Sequence, residues 1–237
     1  IYLMLAYYRT RTRKQLERRN EDKLNQMKFT FFTNISHEFR TPLTLIITPL
    51  EAFLKEIKGT LYEPKLLSIY RHAQDLQNLV NQLLDFRRLE ITGEKLNLTY
   101  GNIALFVLQF QELFERLAQE KEVNYTVKCE QSDIFMYFDN TKLYKILNNL
   151  ISNSFKFTPR GGNISIRLYL ENDFIKTEIA DTGIGIPPND LPNIFNRFYQ
   201  ASNAQGGSGI GLHLVKEYIQ LHSGEIRVES DPGVQTI

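Results

Sequence analysis

The sequence predicts an α+β chain: a two-helix hairpin that pairs with a second copy as a dimeric four-helix bundle, followed by an α/β two-layer sandwich with a mixed sheet. Three observations lead there. Apolar residues recur at alternating steps of three and four through residues 29–57 and again through 66–83. A glycine and a proline separate the two runs in KGTLYEP, residues 58–64. After Gly93 the texture changes, and short alternating runs of strand type mix with helical ones without strict βαβ alternation.

IYLMLAYY, residues 1–8, is apolar but shorter than the about 20 residues that a membrane span needs. RTRTRKQLERR follows, with Glu17 its one acid. An apolar end before a basic cluster reads as the end of a transmembrane helix at its cytoplasmic exit; a basic, solvated helix start is the other reading. Residues 9–28 hold no Gly or Pro and suit a signalling helix linker. The first seam runs through Phe29, Phe32, Ser36, Phe39, Leu43, Ile46, Leu50, Phe53 and Ile57. The second runs through Leu66, Ile69, Ala73, Leu76, Val80 and Leu83 and fades before Gly93. Residues 29–92 therefore form the hairpin. A lone hairpin buries little apolar surface, and dimerisation is the remedy.

Residues 93–237 form the sandwich. LNLTY, VNYTVKC, IFMYF, NISIRLYL, FIKTEIA and EIRVES read as strands. NIALFVLQFQELFERLAQEKE is a helix capped by Asn102, NTKLYKILNNLISNSFKF is a second, and GLHLVKEYIQLH a third with Gly224 as its C′ residue. Net charge is +1 over 237 residues, so there is no global electrostatic case for nucleic acid. The one cysteine, Cys129, excludes a disulfide within the chain and fits a reducing compartment.

Candidate chemistry begins with SHEFRTPL, residues 36–43. His37 lies at the edge of the packed stripe. Pro42 removes the amide that would bond to the carbonyl of Glu38 and crowds that turn, so the helix should bend or loosen there. A neutral imidazole is a nucleophile. Glu38, next in the chain, can take the proton from one ring nitrogen while the other attacks. Thr41, one turn beyond on the same face, can position a water. A surface histidine on a bundle helix is the alternative.

Four short pieces follow. Asn149, Asn153 and Lys156 make one polar stripe on the Asn140–Phe157 helix, opposite Leu143, Ile146, Leu147 and Leu150. Amide oxygen and ammonium suit Mg²⁺ and phosphates; a solvated helix face is the alternative. IADTGIGIP ends a strand in Asp181, followed by Gly183 and Gly185. A carboxylate there can accept the exocyclic amino group of adenine, where guanine offers a carbonyl. The glycines allow close backbone approach, in a ligand site or in a plain tight turn. LPNIFNRFYQASNAQ places Phe195, Arg197 and Phe198 as anchors of a lid or as core. GGSGIGLHLVK, residues 206–216, leads glycines into a helix start whose free amides suit phosphate. It is neither a P-loop nor a dinucleotide fingerprint.

Together these pieces resemble the N, G1, F and G2 boxes of the histidine kinase catalytic domain, an ATP-binding fold shared with gyrase, Hsp90 and MutL. SHEFRTPL resembles the phosphoacceptor H box, which those relatives lack. The resemblance covers about Gln15 to Val234. It implies His37 as the phosphorylated residue, Glu38 as its proton partner and Thr41 as an aid to dephosphorylation of a receiver. It implies Asn153 as the Mg²⁺ ligand with Asn149 close by, Lys156 on phosphate, Phe157 against the nucleotide and Asp181 on adenine. Gly183, Gly185, Gly207, Gly209 and Gly211 would shape the hinges and the phosphate site. The cofactors implied are ATP and Mg²⁺. The partners implied are a second copy of the chain, through the bundle, and a receiver domain whose aspartate takes the phosphoryl group. Gln200 stands where many relatives carry a basic residue, which would leave the γ-phosphate to Arg197 or Lys156. His213 reads as packing, and His72 and His222 as structural or surface residues. Relatives continue past SDPGVQTI, so the last strand reads as truncated. RKQLERRNEDKLNQMKFTFFTNISHEFRTPLTLIITPLE is similar to bacterial hybrid two-component sensors, which implies an inner-membrane protein with this part on the cytoplasmic side. A receiver phosphatase, an inactive dimeric scaffold and a gyrase-like ATPase are rival readings; the last would need no H box.

Overall fold

The computed structural model describes residues 27, 30, 31, 35, 38–172, 174–202 and 207–237. Residues 1–8, read as the end of a membrane helix, lie outside them, as do residues 9–26 of the linker, Phe29, Phe32, Ser36 and His37. The chain divides into two compact units, Ile1–Glu94 and Lys95–Ile237. No helix of the described residues is long and apolar enough to cross a membrane.

In the first unit, helix α1 (38–56) runs without interruption through Pro42. The missing amide removes one rung of the ladder, and the rungs on either side keep the helix. Gly59 turns the chain at φ 82°. Helix α2 (Glu63–Thr92) starts with Pro64 in its first turn, where no amide is needed, and stops at Gly93, left-handed at φ 56°. Arg40 donates to Asn81 Oδ1 at 3.2 Å, which ties the two helices. The seams face two ways. Leu50, Ile57, Leu66, Ala73, Val80 and Leu83 are half-buried. Phe39, Ile46, Phe53, Ile69 and Leu76 are 46% to 54% exposed.

The second unit alternates in the order β1 (Thr99–Asn102), α3 (Ile103–Lys121), β2 (Asn124–Cys129), β3 (Phe135–Phe138), α4 (Asn140–Phe157), β4 (Asn163–Glu171), β5 (Phe174–Asp181), α5 (Gly211–Leu221), β6 (Ser230–Asp231) and β7 (Gln235–Thr236). The mixed sheet has five strands in the order β2-β4-β5-β7-β6. Its β2–β4 pair is parallel and the others antiparallel. β1 and β3 stand apart as a two-stranded antiparallel sheet, its outer face held by Tyr100 against Phe135 and Tyr137.

EIRVES enters the sheet at its end: Ser230 opens β6, and Glu229 exchanges both backbone bonds with Ile237. Helix α5 ends one residue earlier than expected of a glycine stop: Ser223, at φ 59°, takes the left-handed position. The Gly224 amide then bonds to the Ile219 carbonyl.

Asn102 caps α3 as its type dictates, accepting from the amides of Ala104 and Leu105 at 3.0 and 3.3 Å. The amphipathic faces of α3 and α4 meet in an aromatic core. Phe114 stacks on Phe155 with ring centres 5.5 Å apart, and Tyr125 packs on both. The Tyr125 hydroxyl is buried, which pushes its pKa up, and it donates to the Phe110 carbonyl at 3.0 Å.

Asp139 caps α4 and anchors the start of this unit. Its carboxylate accepts from the amides of Asn97 and Lys142 and from the Lys142 ammonium, at 2.9, 3.0 and 3.0 Å. Burial pushes this carboxyl up, but those hydrogen bonds and the nearby positive charge outweigh it and hold the pKa below the usual range. Lys142 also donates to the Lys95 carbonyl at 3.1 Å. His222 closes the group: its Nε2 accepts the Asp139 amide at 3.3 Å, and its Nδ1–H donates to the Tyr218 carbonyl at 2.7 Å. Both members of the ion pair are buried, so removing one strands the other. Lys142→Met is expected to cost about 3 kcal/mol, read from urea unfolding of the whole chain followed by tyrosine fluorescence.

Candidate active site

Helix α4 sets the register of the site. Ile146, Leu147, Ile151 and Phe155 are buried, which turns Asn149, Asn153 and Lys156 to the other side. The stripe read from sequence is therefore one face. Asn153 Nδ2 donates to Asn149 Oδ1 at 3.3 Å. Lys156 is exposed, and its ammonium lies 5.0 Å from the centre of the Phe157 ring.

β5 ends in Asp181 beside this helix. Its Oδ1 accepts the Gly183 amide at 3.0 Å, and Ser154 donates to the same carboxyl. Burial raises the Asp181 pKa above the usual carboxylate value, against those two hydrogen bonds. Ser154 is the residue that sequence reasoning missed. It is 6% exposed and interrupts the apolar face of α4, and that interruption is the signal that could have found it. Thr236 was missed too; it sits opposite Asp181 in the β5–β7 pair.

The glycines show why no side chain is allowed there. A Cβ on Gly183 would come within 2.7 Å of Asp181 Oδ1 and 2.9 Å of the Phe157 carbonyl oxygen. Gly185, at φ 72°, is pressed on Pro232, whose Cα is 2.5 Å from where its Cβ would be. A Cβ on Gly211 would come within 2.6 Å of the Asn149 amide. Gly207 faces Lys156, whose ammonium would lie 3.7 Å from a Cβ.

Helix α5 begins at Gly211 with no side-chain cap. Its first amides are donors of the kind that bind anions. Asn149 lies against that start and Lys156 lies beside the preceding loop, so amide oxygens, an ammonium and uncapped amides converge. This donor set fits a nucleotide phosphate chain with Mg²⁺, a hard cation that takes a few protein oxygens and leaves the rest to phosphate and water.

Phe195 is half-buried, Phe198 is 60% exposed at φ 61°, and Arg197 is exposed. His213 is buried, with Nδ1 3.3 Å from the Phe195 carbonyl. Glu38 and Thr41 are exposed on the first turns of α1, in the other unit, and His37 lies outside the described residues.

Comparison with known proteins agrees with both units. The family described as histidine kinase-, DNA gyrase B- and HSP90-like ATPase matches residues 138–237. The His Kinase A phospho-acceptor domain matches residues 27–91. Histidine kinase P4 of Formosa agariphila is 41% identical over 91% of this chain and 16% of its own length. Sensor histidine kinase WalK of Bacillus subtilis is 31% identical over 91% of this chain and 36% of its own. This chain thus spans well under half of these relatives. The crystal structure of full-length ShkA in complex with AMPPNP superimposes with a TM-score of 0.70 at 27% identity, covering 86% of this chain and 43% of that one.

Because the folded state favours protonated Asp181, ionising it costs stability. The cost is absent below the usual carboxylate range, grows as pH rises through the raised pKa, and stays constant above it. Asp181→Asn is therefore expected to raise the melting temperature of the nucleotide-free chain above that pKa and not in acid, in thermal melts across pH. The same substitution is expected to weaken ATP binding roughly tenfold or more, read by titration calorimetry.

Proposed function

The chain belongs to the sensor histidine kinases of two-component and hybrid systems, ATP-dependent phosphotransferases, and we propose that it phosphorylates its own His37 from ATP and passes the phosphoryl group to a receiver-domain aspartate. The observation that carries this reading is the meeting of Asn149, Asn153, Lys156, Asp181 and the uncapped start of α5 in a chain that also bears SHEFRTPL.

Asp181, held by Ser154 and the Gly183 amide, accepts the adenine amino group. Phe157 lies against the nucleotide. Lys156, the loop at Gly207, Gly209 and Gly211, and Arg197 hold the phosphates and offset the charge that develops on them. Mg²⁺, when bound through Asn153 with Asn149 beside it, neutralises part of the phosphate charge. One nitrogen of neutral His37 attacks the γ-phosphorus in line. The bond from that phosphorus to the bridging oxygen breaks, ADP leaves, and Glu38 takes the proton from the other ring nitrogen. Thr41 positions a water for receiver dephosphorylation. Gly93, left-handed at φ 56°, is the joint on which the ATP-binding part swings.

The bundle is a homodimer. Five seam residues 46% to 54% exposed support this reading, because two copies would bury them together. This chain is the cytoplasmic part of an inner-membrane sensor, with residues 29–92 as the phosphoacceptor hairpin and 93–237 as the ATP-binding domain.

Incubation with γ-labelled ATP and Mg²⁺ tests the reaction. The expected result is acid-labile, alkali-stable label on the wild-type chain and none on His37→Ala; label retained by His37→Ala would sink the assignment. Phe53→Glu combined with Leu76→Glu is expected to turn the dimer into monomer in sedimentation equilibrium, with nucleotide binding retained.

A further inference from the structure

Asp190 takes no part in the contacts described so far, yet it is buried in a stretch of turns, 7% exposed. A buried carboxylate is costly unless its oxygens are satisfied. Three donors converge on this one, all from residues 199–202. Tyr199 Oη donates at 2.6 Å, and the Ser202 amide and hydroxyl both donate at 2.8 Å. The backbone of Asp190 is fixed on its own side: its amide donates to the Pro187 carbonyl and its carbonyl accepts from Asn193, both at 2.8 Å. The acid thus fastens residues 199–202 to the turn at 187–193.

What lies next to Tyr199 gives this fastening a use. The Phe198 amide donates to the Gly209 carbonyl at 2.9 Å, and Gln200 Nε2 donates to the Gly207 carbonyl at 2.8 Å. Gly209, at φ 67°, is pressed so close that a Cβ would come within 2.5 Å of the Phe198 carbonyl carbon. Phe198 itself holds φ 61°, a conformation that an aromatic residue keeps only when its surroundings impose it. Residues 198–200 are therefore a template for the backbone of Gly207 and Gly209. That backbone runs into the uncapped first turn of α5 and passes Lys156. Asp181, at the adenine end, is held by Ser154 and the Gly183 amide and not by residues 198–202.

We propose that Asp190 is a positioning residue for the phosphate end of the nucleotide site, acting through Tyr199, Ser202 and the Phe198–Gln200 template on the loop at Gly207 and Gly209. The proposal rests on the reading of that site as one for ATP. Gln200, where relatives were expected to carry a cation, is part of this template. Loss of the fastening then weakens ligands in proportion to what they owe to phosphate, and leaves adenine recognition intact.

The test compares ATP and adenosine, each with Mg²⁺, on the whole chain as wild type, Tyr199→Phe and Asp190→Asn, by titration calorimetry and competition. The expected result in either variant is a loss of ATP affinity of roughly tenfold or more, with adenosine within about twofold of wild type. The KM for ATP in autophosphorylation rises with it while the rate at saturating ATP holds. Equal losses for ATP and adenosine mean a general structural role and overturn the proposal, as does unchanged ATP affinity in both variants. Should Asp190→Asn fail to fold, Tyr199→Phe decides by the same outcomes. A wild-type chain that bound neither ligand would sink the nucleotide site itself along with Asp190, and is told apart from the other failures by that reference.

Discussion

Helix α4 ends with carbonyl groups that no helical amide can reach, and the second unit is organised around satisfying them. The Phe155 carbonyl takes the Lys121 ammonium at 2.7 Å, from the last turn of α3. The Ser154 carbonyl takes the Thr158 amide. The Phe157 carbonyl takes the Ile184 amide at 3.3 Å, which brings the loop after β5 onto the helix end. Only glycine at 183 allows that approach. Once it is made, Asp181 lies beside Ser154. A backbone requirement of one helix thus supplies the geometry of a recognition site.

The same region departs from the rules that build the core. The aromatic cluster of Phe110, Phe114, Tyr125 and Phe155 is apolar apart from one hydroxyl with a buried acceptor. On the far side of α4, polar groups are half-buried and the glycines press on them. Asp181 gives up solvation and Phe198 gives up a relaxed backbone. Departures of this kind gather at functional sites, where local preference yields to a geometry that serves a ligand.

Much of this was legible because each element carried its own signature. Asn140–Phe157 could be bounded from its apolar spacing, and Asn102 announced a helix start by residue type. Asp181 stood out as an acid at the end of an apolar strand followed by spaced glycines. What could not be read depends on chain distant in sequence. The separation of β1 and β3 from the main sheet follows from pairing partners 39 residues apart at Thr99 and Phe138, which no local pattern encodes. Ser223 rather than Gly224 turns left-handed, and Gly224 packs against the Ile219 side chain, 3.1 Å from where its Cβ would lie. Gly185 is packed on Pro232, and a glycine marks close approach without naming what approaches.

The anchoring of Lys95 and Asn97 on the first turn of α4 has a mechanical meaning. The chain enters this unit through two fastenings to a buried ion pair, not through a loose strand end. Any tension on the chain ahead of Lys95 is therefore passed to Asp139 and Lys142, at the start of the helix that carries Asn149, Asn153 and Lys156. A tether fixed at this point meets α4 at one end, with the polar stripe nearer the other.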